Sequence, residues 1–585
     1  PSKAGEASPT ECTHVCGEES ACTTKKLNCT HSHDENCGYV EAVEGTPCNY
    51  DCPLCSELDN EIEEFSLRSE EVTDFATLKE TIEELTSGST ETISVNAEKI
   101  AFDSTITVPA GVEVTLSFSQ VTIFEPNQKD LSSLFFIPEE AGLTIGETTT
   151  DAYRSTWRGY SGNAGYMQEA LIESKGDLIL NSGIIGDWAS SKAVIALDGD
   201  KSLFVMNGGQ IGSSDYYWPD CAVKLDNGAN LNLNDGVITG SAKIGVHADH
   251  QSMFTMEGGL IEKAKDKGVL VDHGSAFTMN DGEISENGLS EIWWMDAGGV
   301  NVFDGSSFTM NGGEISYNKG GTGGVCIGNN VDTMQNAYKD LDVLPSNTPA
   351  IATFIFNDGY IGSNTGYDKG GGLFVSANAD VTMNGGSLSE NTTEVGGGGV
   401  LIQDGYLLKY AGNEKKPVTA DDYPKVSMSE WQTRFPGRFT MNGGSISRNE
   451  ALGKYTQGGS AAPMDVDGDG GGILIWSNEV YLKAGEIAHN TAKNHGGGVH
   501  VKTVPYHLSL SRVEIRTNKA SNEGGGLWFC PIGISDIYFE EGALVTGNTA
   551  VNAGDDFYTV EKRKDAFTTS LGGQQMASSI CLTRL

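Results

Sequence analysis

The sequence predicts an all-β solenoid, specifically a right-handed parallel β-helix, and three observations predict it. A strand-like phrase recurs along the chain, a glycine-rich corner follows each copy, and an asparagine recurs at a fixed place between the two. The phrase reads FTMEGGLIEKA from Phe254, FTMNDGEISEN from Phe277, FTMNGGEISYN from Phe308 and TFIFNDGYIGSN from Thr353. It continues as VTMNGGSLSEN from Val381 and FTMNGGSISRN from Phe439, then weakens to VYLKAGEIAHN at Val480 and IYFEEGALVTGN at Ile537. The corners are AGGVNV at Ala297, TGGVCI at Thr322, GGGLFV at Gly370, GGGVLI at Gly397, GGGILI at Gly470, GGGVHV at Gly496 and GGGLWF at Gly524. Within each copy apolar residues alternate with polar ones, as Phe308 and Met310 do around Thr309, which is the period of a strand. Gly, Asn and Asp between these runs mark turns. Three short strands in about 25 residues cannot bury their own apolar side, whereas coils stacked about 4.8 Å apart can. Asn287, Asn318, Asn364, Asn391, Asn449, Asn490 and Asn518 would then stack at one turn as an amide ladder.

The elements follow in chain order. Residues 1–56 hold eight of the twelve cysteines (Cys12, Cys16, Cys22, Cys29, Cys37, Cys48, Cys52 and Cys55), with His14, His31 and His33 among them. Disulfides that stabilise a small module without a core fit this composition, and so does a zinc site, for which Cys52-x2-Cys55 has suitable spacing. Residues 57–91 are an acidic linker and a helix: Asp74–Leu85 places Phe75, Leu78, Ile82 and Leu85 on one face with Asp74 as N-cap, a lid for the first coil. Coils are expected from 92 to 561 and an irregular segment from 562 to 585. Cys221, Cys326, Cys530 and Cys581 are scattered through this region and read as buried thiols.

Charge narrows the partners. With 38 Lys and Arg against 80 Asp and Glu the net charge is 38 − 80 = −42. Such a chain gains nothing from a nucleic acid or an anionic membrane surface. No run reaches the roughly 18–20 apolar residues of a spanning helix. The first residue is Pro1, with no basic and apolar leader ahead of it, as expected where an export signal has been removed or the start is recombinant. An extracellular or cell-surface monomer is the expectation.

Insertions at the turns are where function is expected. They span 286–297, 328–350, 403–437 and 450–469, and an irregular aromatic stretch runs from Tyr153. Aromatic residues collect in irregular stretches, Trp157, Trp218, Trp293, Trp294, Tyr406 and Trp431 among them, while Trp476 and Trp528 follow glycine corners. Rings beside carboxylates and amides suit sugars, so Trp293, Trp294, Tyr406, Trp431, Trp476 and Trp528 are candidate oligosaccharide-binding residues; anchoring of long loops is the plainer role.

Aligned corners place Asp296, Lys369, Asp469, His495 and Glu523 at one turn offset. Asp469, His495 and Glu523 belong to successive coils, which sets the two carboxylates about 10 Å apart. That lies close to the ~6.5–9.5 Å of an inverting glycosidase, and Asp465 and Asp467 stand just upstream. Asp296, Asp465, Asp467, Asp469, His495 and Glu523 are therefore the candidate catalytic residues for glycoside hydrolysis, which needs one carboxyl to protonate the leaving oxygen and another opposite it; chance alignment of acidic residues on polar corners is the alternative. Asp465-Val466-Asp467-Gly468-Asp469-Gly470 also opens like a calcium loop, but the twelfth position is Trp476 instead of Glu. A looser Ca2+ site on Asp465, Asp467 and Asp469 stays open, and the chemistry requires no cofactor. The remaining histidines, His500 included, read as ordinary turn or strand residues.

Residues His31–Cys48 resemble a short Cys/His repeat near the N-termini of large exported proteins of gut Firmicutes, which implies export. The solenoid resembles the pectate-lyase-like superfamily, and Gly524–Pro531 with Gly547–Asp556 are similar to β-helix surface proteins of gut Clostridia. Relatives of that kind imply either an adhesin or a glycosidase acting on host or milk glycans, such as the β-helix lacto-N-biosidases, with a lyase a lesser alternative. The aspartate spacing of those enzymes is not matched here, so no catalytic residue carries over from them.

Overall fold

The computed structural model describes residues 71–127, 133–147, 155–157, 169–186, 192–212, 219–240, 242–288, 296–328, 350–404, 436–455, 464–477, 479–502, 506–529, 535–540, 542–558, 567–571 and 574–576. The Cys/His-rich stretch, Cys530 and Cys581 lie outside them.

The chain is a parallel β-helix. A lid helix, Phe75–Glu83, precedes the coils; Asp74 caps it by accepting from the Thr77 backbone N–H at 2.9 Å, and Phe75, Leu78 and Ile82 are its buried side. That hydrogen bond also holds the Asp74 carboxyl below its ordinary value. Phe75 meets Phe102 of the first coil with ring centroids 6.4 Å apart. Coiling begins with the strand Thr90–Val95. Among the described residues, successive coils build a 17-stranded first sheet, second and third sheets of 15 strands each, and a seven-stranded ribbon of two-residue strands beside the Asn turn. One coil reads Ser307–Met310, Glu314–Ser316, Lys319–Gly320, Val325–Ile327, contributing in turn to the first sheet, the second, the ribbon and the third.

Register explains the repeat. Phe308 lies opposite Phe277 below it and Phe354 above it, and Val300, Val325, Leu373, Val400, Ile473, Val499 and Leu527 form one column of the third sheet. Phe254, Phe277, Phe308 and Phe354 stack with centroids 4.5, 4.7 and 4.6 Å apart, the spacing of adjacent strands. Each of these rings is buried, which contributes about 1.5–3 kcal/mol apiece. Two glycines show why the corners read as they do. Gly313 adopts φ +82°, and a Cβ there would lie 2.6 Å from the Met279 Cε. At Gly471 the constraint is close approach, since a Cβ would lie 2.5 Å from the Gly497 carbonyl oxygen of the next coil.

Past residue 562 the expected irregular segment still adds to the first sheet. Phe567–Leu571 pairs in parallel with Ser535–Glu540 and turns back into an antiparallel strand, Gln574–Met576. The run FTTSL alternates too weakly for the sequence pattern to reveal it.

Candidate functional site

The site is built from one corner and the strand that follows it. Because the third-sheet strands are in register, the residue four positions before each strand's first member forms a column: Asp296, Gly321, Lys369, Gly396, Asp469, His495, Glu523 and Ala553. Backbone hydrogen bonds tie successive members together, from Gly397 N–H to the Asp469 carbonyl (3.0 Å), Gly470 to His495 (2.9 Å) and Gly496 to Glu523 (3.1 Å).

Asp296 stands four coils below Asp469, about 19 Å away at one strand spacing per coil. Its carboxylate accepts from Lys267 Nζ at 2.6 Å, and Lys369 pairs with Asp368 at 3.1 Å. Asp296 and Asp469 therefore share a column but not a pocket.

Asp469, His495 and Glu523 do come together. Asp469 is only 3% exposed. Its Oδ1 accepts from Asn494 Nδ2 at 2.9 Å and from the His495 backbone N–H at 3.2 Å, and lies 3.2 Å from His495 Nδ1. The opposite ring nitrogen of His495 is 3.6 Å from Glu523 Oε2 and 3.0 Å from the Asn522 amide. Glu523 Oε2 also accepts from Trp528 Nε1 at 3.4 Å. The gap between the two carboxylates is thus occupied by an imidazole, which faces Asp469 with one nitrogen and Glu523 with the other.

The strand behind this corner supplies a residue that the sequence reading passed over. His500 is the middle residue of Val499–Val501 and lies in register with Leu474 below and Trp528 above. It is 1% exposed, its Nδ1 is 3.6 Å from Asp469 Oδ1, and neither ring nitrogen has a hydrogen-bond partner. Gly496 makes the room, for a Cβ there would lie 2.7 Å from that of His500. Trp528 roofs both imidazoles, with centroids 4.7 Å from His495 and 4.2 Å from His500. In the four coils directly below, the same middle position holds Cys326, Phe374, Leu401 and Leu474, which form a small apolar cluster with Ala297, while farther down it holds Asn301, Leu270 and His247. A polar ring directly after four apolar members was the available signal.

Burial is the largest influence on the Asp469 carboxyl and would raise it, but His500, the His495 hydrogen bond and Lys502 outweigh it and bring it down to about 2. Burial, aided by Lys502 and His495 against Asp469, pushes the His500 imidazole down to about 4. At neutral pH the pocket therefore holds a carboxylate beside an uncharged buried ring. Ligand-type atoms of Asp469, His495 and His500 lie within 4.8 Å of one another.

Asp467 is not part of that group. Its side chain is 71% exposed, 3.8 Å from Lys502 Nζ, and that ammonium sits 4.6 Å from the centroid of the Trp476 ring. The backbone of Asp465 ends the strand Met464–Asp465, which pairs antiparallel with Lys454–Tyr455; its side chain lies outside the described residues, as do Trp218, Trp293, Trp294, Tyr406 and Trp431. A calcium ion takes oxygen ligands, whereas the groups gathered at Asp469 are imidazole nitrogens. Cys221 and Cys326 are buried free thiols as expected; burial pushes that of Cys221 up to about 12 and that of Cys326 well above its ordinary value, the character of structural cysteines.

The four insertions have a common address. Those at 286–297 and 450–469 enter third-sheet strands Val300–Val302 and Ile473–Trp476, while those at 328–350 and 403–437 leave third-sheet strands Val325–Ile327 and Val400–Gln403 for the first sheet. All four begin or end at the ends of third-sheet strands, within five successive strands of that sheet.

No protein-family model, curated protein or solved structure matches the chain. Among the described residues no helix is long and apolar enough to cross a membrane.

Proposed function

We propose that the protein is an exported carbohydrate-active β-helix that hydrolyses glycosidic bonds of host- or milk-type oligosaccharides on the flank formed by the third sheet. The observation that carries this reading is the shared address of the insertions: long, dissimilar, aromatic segments attach at the two ends of the strands of one sheet, the arrangement needed to wall a cleft. Glu523 is the proton-transfer group of this scheme, with Trp528 and His495 fixing its carboxylate. Asp469, enclosed and hydrogen-bonded through Oδ1, is a positioning residue for His495. A two-carboxylate mechanism needs a second accessible group, and Asp467 is the exposed carboxylate nearest to Asp469 in the chain.

The second reading is a non-catalytic adhesin that binds glycan or a host protein with the same flank. It is favoured by the enclosure of the column: Trp528 is 8% exposed and offers no open ring face to a sugar. One experiment separates the two. The full chain is incubated with milk and mucin oligosaccharides while sugar release and binding are both followed. Hydrolysis predicts release that falls at least about 100-fold in Glu523→Gln and is unchanged in Asp296→Asn. Binding without release supports the adhesin, and neither binding nor release sinks both readings.

A further inference from the structure

We infer that Asp469, His495 and His500 form a binding site for a first-row divalent transition-metal ion of the zinc type, held between the corner of one coil and the corner and strand of the next. The inference stands on geometry and does not depend on hydrolysis at the flank.

Three features point to it. The first is the donor set, one carboxylate and two imidazoles, which is the nitrogen–oxygen combination such ions prefer and which calcium does not. The second is spacing. Ligands about 2.0–2.1 Å from a tetrahedral ion stand about 3.3 Å from each other, and Asp469 Oδ1 is 3.2 Å from His495 Nδ1 and 3.6 Å from His500 Nδ1. The third is independent of both: His500 is 1% exposed and neither ring nitrogen has a partner at hydrogen-bonding distance, with only a weak pull from the His495 backbone. An orphaned buried polar group is costly, and an apolar residue would fill this place in the column more cheaply, as Leu474 does one coil below. A metal bond to Nδ1 gives the ring a partner and accounts for a histidine there.

The surroundings fit a ligand shell. The far nitrogen of His495 is held by the Asn522 amide at 3.0 Å, with the Glu523 carboxylate 3.6 Å away, and outer contacts of this kind orient a coordinating imidazole. Asn494 donates to the same Asp469 oxygen. Three protein ligands leave a fourth position for water or a ligand. The competing cation, Lys502, is drawn away over Trp476 and toward Asp467.

A second polar cluster, at Asp249, His250 and His273, lacks this character. There the Lys224 ammonium pairs with Asp249 and lies 3.1 Å from His247 Nδ1, so a cation is already in place.

The test is Co2+ and Zn2+ titration of the full chain after chelator treatment, comparing the parent with His500→Leu and His495→Gln. Leucine continues the apolar column below it, and circular dichroism confirms that each variant is folded. The parent should take up one more equivalent of ion than either variant. The Co2+ difference spectrum between parent and variant should show d–d bands without thiolate charge transfer, which separates this site from the cysteine-rich N-terminal stretch. Zn2+ should raise the melting temperature of the parent more than that of either variant. Equal stoichiometry in folded parent and variants, or a difference spectrum carrying thiolate bands, overturns the assignment.

Discussion

His273 acquires a pH dependence from its neighbours. Its Nδ1 is 2.7 Å from Asp249 Oδ1 and 3.8 Å from Asp272 Oδ2, its Nε2 is 4.0 Å from Asp304 Oδ2, and its ring stacks on His250 at 4.9 Å. The hydrogen bond to Asp249, with the charges of Asp272 and Asp304, raises the imidazole above its ordinary value against a smaller effect of burial. Asp249 stays ionised throughout: burial would raise it, but hydrogen bonds from Lys224 and His273 bring it down to about 2. Burial and Lys224 push the adjacent His247 down to about 4, so it adds no charge near neutrality. A group whose folded value is raised stabilises the fold fully below its unfolded value, about 6.5, and that stabilisation is lost as pH rises through the folded value. His273 is half exposed, so the effect is at most about 1 kcal/mol. Melting of the parent should exceed that of His273→Gln at about pH 5.5, with the gap closing by about pH 8.5; a gap constant over that range contradicts the assignment.

At the scale of an element, two asparagine ladders allow the same hydrogen bond to be compared buried and exposed. In the buried ladder Asn391 accepts from the Asn364 backbone N–H and amide at 3.1 and 3.0 Å and donates to the Ile361 carbonyl at 2.9 Å and to Asn449 at 3.0 Å. The ladder ends on a carboxylate, Asp556, which accepts from the Asn548 amide at 2.9 Å. In the exposed ladder Asn442, Asn384, Asn357, Asn311 and Asn280 are linked at 2.8–2.9 Å. Asn391→Ala strips partners from several buried groups at about 1–3 kcal/mol each, so a loss of about 3 kcal/mol or more is expected. Asn357→Ala exchanges its bonds for water and should cost under about 1 kcal/mol; equal losses in denaturant titration would refute the distinction. The buried ladder was legible in the sequence because its asparagines recur between phrase and corner. The exposed one was not, since Asn before Gly or Asp reads simply as a turn. His500 was hidden for a related reason. The outward position of a short strand reads as solvent-facing, and only the fold-back of its own glycine corner encloses it against Asp469 and Trp528, which lie 31 and 28 residues away in the chain. The insertions interrupt the repeat and so carry no register from which contacts could be read.

At the scale of the whole molecule, each coil touches mainly the coils above and below, so stability is close to a sum over coils and their interfaces. That has a direct consequence for length. Met253–Met256 pairs with Ala276–Met279 residue for residue, 23 positions on, as Lys267–Val271 pairs with Ile244–Ala248. Deleting residues 253–275 therefore removes one complete coil and joins Ser252 to Ala276, with Leu231 now meeting Phe277 where it met Phe254. Ser252 and Ser275 are both buried and precede paired strands, so the splice preserves the column. The shortened chain should keep its β-sheet circular dichroism per residue and melt cooperatively within a few degrees of the parent. Deleting 253–264 instead delivers the corner and third-sheet strand Lys267–Val271 to the place of a first-sheet strand, which breaks every column above the cut, and this variant should be insoluble or unfolded. Both variants lose some sequence and only one loses register, so the comparison separates stacking from content; equal damage in the two would mean that the coils are not interchangeable. Asp469, His495 and His500 lie several coils from the splice, so metal uptake by the one-coil deletion should match that of the full chain if coupling along the solenoid is as local as nearest-neighbour stacking requires.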